Sequence, residues 1–288
     1  MKKYILDFEN VRKEYDGKVI LGDIDFCLAE GEFLTVVGPS GCGKSTLLRM
    51  ILGQERPTSA NRFLIDGREI SHPDITCGIV YQGYSLFPHM TALGNVMFGR
   101  RPELDCKAHR KKAMEYLERV GMAEHANKYP VQLSGGQRQR VAIAQTLIVH
   151  PRIILMDEPF SALDPITRES LQKFMLEIWR DAKITIIFIT HVPEEAFFLG
   201  SRLVGLSQYF AEGMIDSPDG NHGARIVFDV EVSKLVDKTT RDFKAAVQRL
   251  RDECLEAGCV RHVKNIILEH PDAIMTLTSE QKGECSPT

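Results

Sequence analysis

No stretch of this sequence is apolar for long enough to cross a bilayer. The longest such run, Ile184 to Thr190, falls far short of the roughly 20 residues a helical span needs. The opening Met1 to Asn10 is not expected to act as a secretory leader either, because Asp7 and Glu9 interrupt its apolar residues. Paired-cysteine spacing is also missing. The seven cysteines are scattered, with no C-x-x-C and no zinc-type spacing with histidine, so a disulfide framework is not expected and the odd count fits a reducing compartment. There is no basic surplus: 36 Lys and Arg stand against 39 Asp and Glu, for a net charge of −3. Bulk composition therefore gives no attraction to nucleic acid or anionic lipid. Repeats and low-complexity tracts are absent as well. What remains is a 288-residue chain, 43% hydrophobic and 26% charged, with enough apolar content for one large core or two smaller ones. A cytoplasmic protein is expected, with any membrane role peripheral.

Short strands are predicted first, over Ile5 to Val11, Lys18 to Leu21 and Asp25 to Leu28, with Asp16-Gly17 and Glu30-Gly31 as turns. Phe33 to Val37 is apolar apart from Thr35, as in a strand buried on both faces, and a helix over Thr46 to Leu52 follows its glycines. Helical spacing recurs over Arg110 to Val120, Gly136 to Val149 and Arg168 to Arg180. Ile153 to Met156 and Ile184 to Ile189 read as further buried strands. Alternating strands and helices predict an α/β fold with a largely parallel sheet. Near residue 210 the composition shifts. Ser217 to Asn221 is turn-rich and Ile226 to Val232 alternates like a strand. Thr239 to Gly258 then predicts an amphipathic helix with Phe243, Val247, Leu250 and Cys254 on one face. This tail is either a small appendage packed on the main domain or a separate regulatory module.

Gly38-Pro39-Ser40-Gly41-Cys42-Gly43-Lys44-Ser45-Thr46 matches G-x-x-x-x-G-K-[ST] between a buried strand and a helix. Its glycines let backbone N–H groups curl around phosphate, and the following helix turns its positive end to the same anion. Lys44 is expected to pair with the β- and γ-phosphates and the Ser45 hydroxyl to ligate Mg²⁺. Ile153 to Met156 then runs into Asp157 and Glu158. One carboxylate serves the metal through its water shell, and the other orients the attacking water. A guanine-reading N-K-x-D is lacking: Asn127-Lys128-Tyr129-Pro130 has no aspartate, which argues against GTP.

Leu133-Ser134-Gly135-Gly136-Gln137-Arg138-Gln139-Arg140 resembles the signature sequence of ATP-binding-cassette (ABC) ATPases. The family's other motifs follow in order. Gln82 falls at the Q-loop position, Ser161-Ala162-Leu163-Asp164 resembles the D-loop, His191 the switch histidine, and Tyr15 the aromatic residue that stacks on adenine. The resemblance covers roughly residues 4 to 210. It implies a P-loop ABC ATPase fold with a mixed or parallel core sheet, an antiparallel β subdomain and a helical signature subdomain at about 83–150. The ATPase domain would span 1–212, with a small α+β extension over 213–288.

For the site, the resemblance implies that Tyr15, Gly38 to Thr46 and Asp164 serve the nucleotide. Ser45, Gln82 and Asp157 serve Mg²⁺, and Lys44, Glu158, His191 and Gln82 serve the chemistry. Ser134, Gly135, Gly136 and Gln137 would reach the γ-phosphate bound on a second ATPase subunit, identical or not, so that two copies sandwich two ATPs. Three departures stand out: Val192 where an aspartate is common, Ala60 for a glycine, and Gln145-Thr146 for Arg-Ala. None removes a phosphate, metal or water contact.

The apolar segment Tyr84 to Thr91, with Val96, Met97 and Phe98 beyond it, is either a buried link or a groove for a cytoplasmic helix of a membrane permease. Ala162 to Arg168 with Glu177 to Arg180 resembles the ATPase subunits of nitrate, sulfonate and taurine importers, which work with a permease and an external solute-binding protein. Gly53 to Pro57 and Leu206 to Tyr209 look closer to a urea- or amide-related branch. The competing class is a soluble ABC ATPase acting on nucleic acid or the ribosome. One uninterrupted cassette without basic surplus speaks against it, and no nucleic-acid partner is expected.

Overall fold

The computed structural model describes residues 3–70, 72–74, 76–83, 85–99, 105–208, 222–232 and 240–255. The expectations for Tyr84, for the turn Ser217 to Asn221 and for the chain beyond Leu255 lie outside them. Contacts divide the chain into two compact units, Met1–Pro73 with Ile187–Thr288, and Asp74–Ile186.

The first unit opens with a long hairpin, β1 (Tyr4–Tyr15) against β2 (Lys18–Ala29). Asp16 and Gly17 both take positive φ, 48° and 79°, the geometry a two-residue hairpin of matching twist requires. The two short strands expected over Lys18 to Leu21 and Asp25 to Leu28 are one continuous strand. Irregular register around Asn10 and Asp23 (φ 51° and 48°) absorbs the interruption, and Asp25 Oδ1 accepts the Asn10 N–H at 2.8 Å. β4 (Arg62–Ile65) pairs antiparallel with β1, and β5 (Arg68–Glu69) with β4. Phe8 stacks on Phe63 at 4.5 Å and tilts against Phe26 at 6.2 Å.

β3 (Phe33–Val37), buried throughout, lies parallel to β9 (Arg202–Ser207), which pairs antiparallel with β10 (Arg225–Glu231). The sheet is therefore mixed. α1 (Lys44–Ile51) follows the loop after β3, and α6 (Pro193–Leu199) precedes β9. The tail helix, α7 (Thr240–Leu250), runs into a π-helical turn at Arg251–Leu255. Val247, Leu250 and Cys254 are buried with Val37, Phe197, Leu203 and Phe228, and Phe243 packs against that cluster. The four residues picked out by helical spacing thus face one core. The Cys254 thiol donates to the carbonyls of Val37 and Leu206 at 3.7 and 3.6 Å. Arg202 forks onto Asp229 at 2.8 and 2.6 Å and donates to the Cys27 carbonyl at 2.6 Å, joining β9, β10 and β2. Among the described residues Cys42, Cys77, Cys106 and Cys254 are free thiols.

β8 (Thr185–Thr190) carries the chain across the boundary between the units. The second unit contains β6 (Cys77–Tyr81) parallel to β7 (Ile153–Asp157), in register from Cys77 opposite Ile153 to Tyr81 opposite Asp157. Its helices are α2 (Ala92–Phe98), α3 (Cys106–Arg119), α4 (Gly135–Leu147) and α5 (Pro165–Ala182). α3 and α5 start earlier than their apolar spacing predicts, because Asp105 and Asp164 cap them by accepting the N–H groups of Ala108 at 2.7 Å and Thr167 at 3.0 Å. Asn95, fully buried on α2, accepts the Phe87 N–H and donates to the carbonyls of Phe87, Met90 and Thr91. That one side chain shapes the segment read as a link or groove. Phe98, at 58% exposure, lies 4.3 Å from Phe87, so the segment is not wholly buried.

Candidate nucleotide site

In the first unit the loop from Gly38 to Gly43 turns back over the end of β3. A side chain at Gly38 would meet the Leu206 carbonyl at 2.2 Å, and Gly43 sits at φ 97° as it enters α1. Only glycine fits either position. The Lys44 ammonium folds over the loop and donates to the carbonyls of Gly38 and Pro39 at 2.7 and 2.8 Å. Ser40, Gly41 and Ser45 are exposed, while Cys42, Lys44 and Thr46 are buried. Burial pushes the Cys42 thiol up, against the pull of the Lys44 charge. Tyr15, at the end of β1, is 38% exposed and donates its hydroxyl to Glu55. The exposed His191 follows β8. Beside it, Thr190 Oγ1 donates to the buried Glu195 carboxylate and accepts the Val192 N–H at 3.1 Å. Val192 thus takes part through its backbone, which a side-chain change leaves intact.

In the second unit the carboxyl ends of β6 and β7 lie side by side, so Gln82, Asp157 and Glu158 gather at one strand-end edge, where ligand sites of parallel sheets form. Glu158 has φ 46°, a strained backbone for a non-glycine residue. Its carbonyl accepts the Ser161 N–H at 3.3 Å and the Ser161 hydroxyl at 2.9 Å. Arg168 reaches back from α5 to the Leu163 carbonyl at 3.2 Å, closing the Ser161 to Asp164 turn. Hydrogen bonds from the Thr167 end of the helix hold the Asp164 carboxyl below its usual range.

Ser134 and Gln137 cap α4 reciprocally. Ser134 Oγ accepts the Gln137 N–H at 3.3 Å, and Gln137 Oε1 accepts the Ser134 N–H at 3.0 Å. Gly135 and Gly136 form the helix's first turn. A Cβ on Gly136 would stand 2.3 Å from Thr167 Cγ2, so the glycine lets the start of α4 approach α5. Thr146, one of the departures, donates to the Ala142 and Ile79 carbonyls at 3.0 and 3.2 Å and so ties α4 to β6.

The expected residues form two groups, each coherent in its own unit: Tyr15, Gly38 to Thr46 and His191 in the first, and Gln82, Ser134 to Gln137, Asp157, Glu158 and Asp164 in the second. Motif reading missed Arg49 and Glu55, which bond Thr46 and Tyr15, and Glu195 and Arg168, which bond Thr190 and Leu163 next to His191 and Asp164. Charged side chains in turns and helices carry no spacing signal that would set them apart. Among the described residues no three His, Cys, Asp or Glu gather as a metal cage. Magnesium fits such a site all the same, since it is ordinarily held by one or two protein oxygens together with substrate phosphates.

A glycine loop feeding a helix, with paired carboxylates at a strand end, defines a P-loop nucleotide hydrolase. More narrowly, residues 21–161 match the ABC transporter family. The chain is 40% identical to an uncharacterized ABC transporter ATP-binding protein of Methanocaldococcus jannaschii over 88% of this chain and 94% of the relative. It is 43% identical to the spermidine/putrescine import ATP-binding protein of Bacillus cereus, over 72% of this chain and 64% of that one. It is 44% identical to the nitrate import ATP-binding protein of Synechococcus elongatus, over 65% and 69%. A solved dimeric ATP-binding cassette bound to ADP and Pi superposes with a TM-score of 0.60 and 34% identity, over 69% of this chain and 93% of that one. The chain belongs to the ABC transporter ATP-binding proteins and is an ATP hydrolase. No helix among the described residues is long and apolar enough to cross a membrane.

Proposed function

We propose that this chain is the energising subunit of an importer, working as a pair of ATPase subunits beneath an integral permease. The observation that carries the reading is that one chain bears two glycine-containing helix starts with exposed serines, the loop before α1 and the capped start of α4, the kind of end that favours an anion. If the second acts on the γ-phosphate held by the other subunit, ATP closes the pair, and hydrolysis removes the group that bridges it. Gly38 to Thr46 cradle the phosphates, Tyr15 stacks on adenine, and Asp164 lies beside the nucleotide at the subunit interface. Glu158 takes the proton of the attacking water, with His191 holding the γ-phosphate. Mg²⁺, bound through Ser45, Asp157 and Gln82, would neutralise charge on the leaving phosphates. Gln82 further links the metal to the permease contact.

The Phe87 and Phe98 rings support a contact with a short permease helix, and with such a partner the chain would work at the cytoplasmic face of the membrane. The proposed solute is small and of the nitrate, sulfonate, taurine or urea kind, delivered by a solute-binding protein outside. The nitrate relative and the Ala162 to Arg168 text support this. Comparable identity to a relative named for a polycation accords with a cassette whose own residues do not choose the solute. We place the ATPase domain at 1–212 with the helical subdomain at about 83–150, and read 213–288 as an extension that completes the core.

Glu158→Gln tests the chemistry. Turnover is expected to fall at least a hundredfold while ATP binding persists and light scattering reports an ATP-dependent dimer. Unchanged turnover would remove Glu158 from its role. A variant that binds ATP yet stays monomeric would remove the pairing.

A further inference from the structure

Around Tyr15 lies a set of side chains that the reading above leaves unused. The Tyr15 hydroxyl donates to Glu55. Glu55 also pairs with Arg49 at 2.8 Å and with Lys13 at 3.4 Å. Arg49 in turn donates to Thr46 Oγ1 at 3.3 Å. A continuous polar path thus runs from Thr46, in the phosphate loop, through Arg49 and Glu55 to the aromatic ring. The Lys13 ammonium sits over that ring, 4.8 Å from its centroid, and donates to the Arg56 carbonyl at 2.8 Å. One face of Tyr15 is therefore covered by a cation, and a base can stack only on the other. Burial raises the Tyr15 hydroxyl's pKa, and the Glu55 carboxylate raises it further, so the phenol stays a donor to Glu55.

We propose that Glu55 is a positioning residue for adenine: it fixes the Tyr15 ring at a set distance from the phosphate loop, so that base stacking and phosphate capture are satisfied together. This rests on the reading of Tyr15 as the adenine platform. Glu55 acts through Tyr15 and touches neither phosphate nor metal. Its loss weakens binding of the base and leaves the chemical step alone, which in kinetics is a rise in KM at constant kcat.

The test uses the full chain with three variants, Glu55→Ala, Glu55→Gln and Tyr15→Phe, and follows steady-state ATP hydrolysis together with calorimetric binding of ATP and of inorganic tripolyphosphate. Glu55→Ala is expected to raise the KM for ATP about five- to tenfold with kcat held within twofold, and to leave tripolyphosphate affinity unchanged. Glu55→Gln, which keeps an acceptor oxygen, recovers part of the loss. Tyr15→Phe, which keeps the ring, matches Glu55→Ala, and combining the two adds nothing. An unchanged KM in Glu55→Ala overturns the proposal, as does an equal loss for tripolyphosphate, which would mark a general collapse of the loop. Tyr15→Ala separates the two readings. If it raises KM while Glu55→Ala does not, only the positioning role fails. If it leaves KM unchanged, the stacking platform itself is wrong and the proposal falls with it.

Discussion

Glu55 carries its charge at a lower pH than an ordinary glutamate. Burial alone would raise its pKa, but the Tyr15 hydroxyl, Arg49 and Lys13 outweigh that and bring it below 4.5. A carboxyl depressed in the folded state stabilises above its unfolded pKa, and the benefit is lost as pH falls through the folded value. The gap in melting temperature between the natural chain and Glu55→Gln is therefore expected to be full at pH 6 and to close as pH falls below 4.5. A gap independent of pH would mean that the charge contributes nothing. Cys77 shows the reverse effect. Burial, with Asp74 adding to it, pushes its thiol up to about 12. At pH 8 only about one Cys77 in ten thousand is thiolate. Maleimide labelling mapped by peptide mass is expected to modify the exposed Cys106 at least a hundred times faster than Cys77.

At the level of elements, the meeting of α4 and α5 depends on the absence of one methyl group. Gly136→Ala places a Cβ against Thr167 Cγ2, and a β-branched threonine has few rotamers in which to move away. We expect a loss of about 1–3 kcal/mol from this overpacking, measurable in urea unfolding. Thr167→Ser, which removes that methyl, is expected to restore most of it in the double variant. The glycine was legible as part of a motif, but its neighbour was not, because residues 136 and 167 meet only once both helices are folded. Buried runs such as Phe33 to Val37 and Ile153 to Met156 were readable from apolar continuity. The amphipathic face of α7 was readable from its spacing. Apolar spacing places the starts of α3 and α5 too late, because a capping aspartate precedes the first apolar residue. β2 reads as two strands because its bulge at Asp23 looks, in sequence, like a turn. Short or half-exposed elements such as β4, β5 and β6 carry too little pattern to stand out.

For the whole molecule, the tail does not behave as an addition. β10 pairs along β9, and α7 buries Leu250 and Cys254 against Val37 from the strand that leads into the phosphate loop. A chain ending after Gln208 is expected to be insoluble or to unfold at much lower temperature, checked by expression yield and thermal melting. A soluble truncation with normal hydrolysis would instead make the tail dispensable. The motifs that define the family sit at loops and strand ends. Sequence reading therefore picks out candidate site residues at those loops and strand ends, and it cannot see the salt-bridged surroundings of Tyr15.

The pairing of Leu34 with Arg202 also bears on how the protein comes into being. As the polypeptide leaves the ribosome, β3 appears early, yet the neighbour it lies beside has not been made. At typical synthesis rates the delay is on the order of ten seconds or more. Throughout that interval the nascent phosphate loop has a buried-type strand with nothing beside it, and the newborn chain is then at its most exposed to chaperones, proteases and misassembly.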